Sequence, residues 1–139
     1  MTTTNSKRWS MALLLLRVIP GLVFLSEGIQ KFLFPEALGA GRFAKIGFEH
    51  PAFWSSFTGI FEIGSGLLLL LGLLTRWAVV PLLIIMCTAF ITTKWPELIK
   101  NLWVFAHDYR TDFAMTLSLI VILLLGAGGW SLDAKRGRA

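Results

Sequence analysis

The chain has 139 residues, 55% of them hydrophobic and 15% charged, with a net charge of +5. Soluble domains carry about 25% charged residues, and the apolar excess here is gathered into four blocks, which excludes an ordinary soluble domain. The positive balance comes without an aromatic-basic reading module, which argues against nucleic acid and for a lipid surface as the partner of the basic residues.

In chain order, residues 1–8 read as a polar, mobile start. The first apolar block, 11–34, is long enough to cross a bilayer, which takes about 20 mostly apolar residues. Lys7 and Arg8 before an apolar run resemble a leader. Arg17 and Pro20-Gly21 interrupt that run and no small-x-small cleavage site follows, so it reads as a retained span. Pro20 should bend this helix and Pro35 end it. Residues 36–51 read as a polar loop carrying Arg42, Lys45 and His50. The second span is 53–74. Only Thr75-Arg76 connects it to the third, 77–95, so the two form an antiparallel hairpin. Pro96 is expected to end the third helix, and 97–109 to form a second polar loop with at most one helical turn. The fourth span is 111–129, fading through its glycines.

The stretches 67–74 and 119–125 are apolar all round apart from glycine, unlike a helix with one wet face. Trp9, Trp54, Trp77, Trp95, Trp103 and Trp130 fall at the block boundaries, at the head-group level that indole prefers. The predicted fold is therefore all-α: an integral membrane antiparallel four-helix bundle, one domain over 1–139. Four spans put both termini on one side. That side holds Lys7, Arg8, Arg76, Lys135, Arg136 and Arg138, and the other holds Arg42, Lys45, Lys100 and Arg110 in loops. The excess of basic residues places the termini in the cytoplasm.

Charges within the spans carry the functional signal. Threaded up and down, Glu27, Lys31, Glu62, Lys94, Arg110 and Asp112 fall in one half of the membrane, on the side away from the termini. Glu27 lies about 10 Å from its helix end and Glu62 about 13 Å from the start of its helix, at 1.5 Å per residue. Charges at such depth face protein or a wet cavity and often mark a working site. Arg17, Gly21, Phe24, Gly28 and Lys31 form one helical stripe, with Glu27 beside it. Gly59, Glu62, Gly66 and Leu69 form another. Glycines allow close helix approach in lipid, so the charged stripes coincide with the tight interfaces. The same charges can instead be read as structural ion pairs. Asp112 also suits a first helical turn, and Arg17 can either snorkel to the interface or pair with a carboxylate. Cys87, the single cysteine, excludes an intramolecular disulfide and reads as a small packed residue. His50 and His107 sit in loops without metal-ligand spacing, so no metal is expected.

Several blocks together resemble the DoxX family. They are Arg17-x3-Gly21-x2-Phe24-x3-Gly28-x2-Lys31, then Phe61-Glu62-x3-Gly66 continued through the leucines to Thr75-Arg76. Thr93-Lys94 before Pro96, His107-Asp108-x-Arg110-Thr111-Asp112-Phe113 and Gly128-x-Trp130-Ser131-Leu132-Asp133 complete the pattern. The resemblance implies a multi-pass protein of the bacterial inner membrane. The wider group includes a small subunit of thiosulfate:quinone oxidoreductase, members associated with thiol-redox and superoxide-handling enzymes, and distant relatives that act as assembly factors or cargo receptors. The functional expectation is an auxiliary subunit of a membrane oxidoreductase system with an outward-facing polar pocket for a quinone and no covalently bound cofactor, rather than a self-sufficient enzyme. Arg17, Glu27, Lys31, Glu62, Lys94, Arg110 and Asp112 are the candidate ligand-binding residues, with Glu62 the candidate for proton exchange. A soluble or membrane oxidoreductase and a second copy of the chain are the candidate protein partners. Two alternatives stay open: a small proton-coupled transporter, disfavoured for cations by the neighbouring lysines, and a non-catalytic scaffold or assembly factor.

Overall fold

The computed structural model describes residues 3–137, so Arg138 of the basic tail lies outside the described residues. The described chain is all-helical. Its elements are α1 (Thr3–Leu33), α2 (Ala40–Ile46), α3 (Pro51–Leu71), α4 (Thr75–Ala89), a π-helical turn (Phe90–Lys94), α5 (Trp95–Lys100), α6 (Leu102–Leu125) and α7 (Leu132–Lys135). By length and composition, α1, α3 and the continuous run Thr75–Lys100 are able to cross a membrane. α6 is 24 residues long and carries Asp108, Arg110 and Asp112 in its first half.

The long helices close a ring, in which α1 packs on α3 and α6, and α4 packs on the same two. The α1–α3 contact is the most intimate because glycines face it. A methyl group on Gly28 would sit 2.7 Å from the Gly59 carbonyl oxygen, and one on Gly66 would sit 2.9 Å from that of Gly21. No larger side chain fits at this separation, so the anticipated glycine stripes are the helix contact itself. Phe24, Leu69, Val79, Leu82, Met86, Met115, Leu119 and Ile122 fill the centre. Around it, Leu67, Leu71, Ile84, Ile91 and Leu124 are exposed, the distribution expected of side chains that meet acyl chains.

Several sequence expectations need correction. α1 begins at Thr3 and absorbs most of the polar start. The first loop contains α2, which packs against α3. Pro96 does not end the third helix, because it falls in the first turn of α5 after a π-helical turn. Proline clashes with the carbonyl one turn back, and the wider π ladder gives the ring room. α6 starts eight residues before Arg110, because Asn101 is its N-cap. The Asn101 Oδ1 accepts from the backbone N–H groups of Trp103 and Val104 at 3.0 and 3.3 Å, which satisfies donors that a helix start otherwise leaves open. Cys87 is exposed on α4 instead of packed.

At the end of the molecule that carries α7, the last helix of the described chain, the fold locks itself. Arg17, only 1% exposed, donates to the carbonyls of Ala127 at 2.5 Å and Trp130 at 2.9 Å. Asp133 accepts from the N–H groups of Leu74 and Thr75, both at 2.9 Å, and so caps α4. Its own N–H donates to Gly72. Burial alone would raise the Asp133 carboxyl. The Thr75 and Leu74 donors, with Arg136 nearby, outweigh it and hold the group below its ordinary range.

Candidate functional site

The opposite end is open. A cavity of about 720 Å³ lies between α1, α3, α4 and α6, with α2 over it. This falls inside the range of roughly 300–1,000 Å³ typical of small-molecule pockets. Each wall follows from local sequence. α1 contributes Phe24, Glu27 and Lys31, at offsets 0, +3 and +7, which is one helix face. α3 contributes Trp54, Phe57, Thr58, Phe61 and Glu62, again at helical spacing.

One side is a continuous run of touching rings. Centroids are 5.2 Å apart for Phe43–Phe48, 6.4 Å for Phe48–Trp54, 5.8 Å for Trp54–Phe57 and 4.8 Å for Phe57–Phe61. These separations are those of favourable edge or offset contacts. The facing side is α4 and the π-helical turn, which bring Thr88, Thr92, Thr93 and Lys94 to the cavity. Thr88 and Thr92 bond back to carbonyls one turn earlier, so their hydroxyl donors are used within the helix.

Ion pairs flank this space on two sides. Lys31 Nζ lies 2.7 Å from Glu62 Oε2, with both side chains nearly buried. The approach is close enough for an ion pair but is not aligned as a hydrogen bond. On the other wall, Lys94 Nζ lies 3.8 Å from Glu97 and 3.9 Å from Asp112. Glu62, at 4% exposure, is the most deeply set charge of the cavity. Such a pair in a core is weak evidence for stability, because desolvating two charges offsets most of their attraction.

Of the residues anticipated from sequence, Glu27, Lys31, Glu62, Lys94 and Asp112 meet at one cavity. Arg17 and Arg110 do not. Arg17 is at the other end, where it is buried and binds two carbonyls, and among the described residues it forms no ion pair within 4 Å. Arg110 is exposed and donates to the carbonyl of His107. The one-dimensional threading put Arg110 with the others because it fixed depth but not the direction in which a side chain leaves its helix. His50 and His107 line no part of the cavity, and no metal-holding group of His, Cys, Asp and Glu occurs among the described residues. Sequence reasoning missed Arg42 and the aromatic wall. Phe57 and Phe61 at i, i+4 were a signal for the wall, and Phe43 and Ile46 beside Arg42 were one for an amphipathic α2.

Long apolar helices around a charged, aromatic-walled cavity define a polytopic membrane protein. Comparison with known proteins narrows this class. The DoxX family model matches residues 12–95, and an uncharacterized membrane protein of Mycobacterium tuberculosis is 49% identical over 127 residues, covering 86% of this chain and 78% of that protein. The chain belongs to the DoxX family. No solved structure matches it.

Proposed function

We propose that α1, α3, the α4–α5 run and α6 all cross the bacterial inner membrane as an antiparallel bundle with both termini cytoplasmic. We further propose that the cavity at the outer end binds the head of a quinone for a membrane oxidoreductase, which this chain serves as an auxiliary subunit. α6 is long enough for the fourth span, about 36 Å at 1.5 Å per residue. Its charges fall in its first half, where Asp112 lines the cavity.

The observation that carries the ligand assignment is the Lys31–Glu62 pair set into an aromatic-walled pocket. Rings provide stacking surface for a flat head group. Lys31, already turned toward Glu62, has further N–H donors for a carbonyl oxygen. The charges facing the cavity are Glu27, Glu62 and Asp112 against Lys31, Arg42 and Lys94. They sum to zero, which favours a neutral, dipolar ligand over an ion.

The test is binding of decylubiquinone to the purified protein in nanodiscs, with Glu62→Gln alongside. The wild type should bind at micromolar concentration and Glu62→Gln about tenfold more weakly, the value of one charge-supported contact. No binding by the wild type, or equal binding by the variant, would remove the assignment. Co-purification from native membranes checks the partner: a stable oxidoreductase supports an auxiliary subunit, and a diverse set of clients supports a scaffold.

A further inference from the structure

Lys31, Glu62, Lys94 and Asp112 each have an ion-pair partner, with Lys94 shared between Asp112 and Glu97. The remaining two charges of the cavity do not. Among the described residues, the Glu27 carboxylate has no cation within 4 Å and no hydrogen-bond donor, and the Arg42 guanidinium has no carboxylate and no acceptor. The only contact Lys31 makes with Glu27 is with its backbone carbonyl. Both free groups line the cavity, Glu27 half-buried on α1 and Arg42 exposed on α2. Each lies within electrostatic reach of both Glu62 on α3 and Asp112 on α6. They therefore share one cavity with the ion-paired charges, where a ligand's head would sit.

We propose that Glu27 and Arg42 are the pair that reads the ligand head, and that they select a head carrying both a hydroxyl donor and an acceptor oxygen, as in a hydroquinone. This deepens the quinone assignment and rests on it. An ionised carboxylate only accepts hydrogen bonds and a guanidinium only donates them. A hydroquinone satisfies both: one hydroxyl donates to Glu27 while the other oxygen accepts from Arg42. A quinone offers acceptors alone, so it satisfies Arg42 and leaves Glu27 stripped of water without a donor. A site built to receive a donor rejects the analogue that lacks it. Glu62 holds Lys31 in place for a ligand oxygen, and Glu27 is the carboxylate left to accept from a ligand hydroxyl.

The experiment measures the affinity of decylubiquinone and of its hydroquinone, anaerobically, for the full chain in nanodiscs. Wild type, Glu27→Gln, Arg42→Ala and Lys45→Ala are compared, and thermal unfolding confirms that each variant is folded. Wild type should prefer the hydroquinone by about tenfold. Glu27→Gln should erase or reverse that preference, because its amide also donates and can serve a quinone carbonyl. Arg42→Ala should weaken both ligands, and Lys45→Ala, on the same short helix but outside the cavity lining, should change neither. If wild type binds both forms equally, or Glu27→Gln keeps the wild-type preference, this recognition pair is wrong while the quinone site stands. If wild type binds neither form, the quinone assignment itself fails.

Discussion

The two ends of this molecule use charge in opposite ways. At the terminal end, Arg17 and Asp133 are each spent on backbone: the guanidinium binds two carbonyls and the carboxylate two N–H groups. At the other end, charges meet side chains across an open volume, and two of them, Glu27 and Arg42, meet no partner among the described residues. Charge bonded to backbone fixes the chain. Charge left facing a cavity is available to a ligand. The same residue types thus serve anchoring at one end and recognition at the other, and the partner atom tells the two apart.

That contrast can be broken by mutation. Arg17→Ala should give the largest loss, about 3–5 kcal/mol, since it orphans two carbonyls at about 1–3 kcal/mol each and leaves a void. Unfolding in detergent checks it, and a loss near zero would show that the carbonyls find other donors. Asp133→Ala should cost about 2–3 kcal/mol through loss of the α4 cap. Asp133 also makes stability depend on pH. Its folded pKa lies below its unfolded value, so its contribution is complete above the unfolded value, about pH 4, and fades as pH falls through the folded one. Melting temperatures of wild type and Asp133→Asn should accordingly differ most at neutral pH and converge in acid; a constant gap would refute this linkage.

Gly28→Ala should cost about 1–3 kcal/mol by forcing α1 from α3 where the added methyl would meet the Gly59 carbonyl. Because the cavity lies between these helices, ligand affinity should fall with it. Smallest of all, Arg110→Ala should alter stability by no more than about 0.5 kcal/mol and leave ligand affinity unchanged. A clear loss of binding there would restore Arg110 to the site.

Much of the site was legible beforehand, for a definite reason. Lys31 and Glu62 each share a stripe with glycines, and glycines mark where two helices touch, so both were anticipated at a tight helix contact, while their pairing with each other was not. Arg42 was not legible, because α2 is only seven residues long and its flanking glycines read as loop. Nor was Lys94's environment, since Pro96 reads as a helix end and the π-helical turn that accommodates it has no signature in composition. Arg17 shared the stripe with Lys31 but lay at the far end of the same helix. Its partners are carbonyls more than a hundred positions away, which carry no side-chain signal.

By itself the sequence determined the all-helical class, the membrane, the glycine-faced contact and the common grouping of most of the charges. Each of these is written in local periodicity and apolar length, and needs no knowledge of neighbours. Only the tertiary structure decided which charges are spent and which are free. Pairing is set by the directions in which side chains leave different helices, and no single helix contains that information.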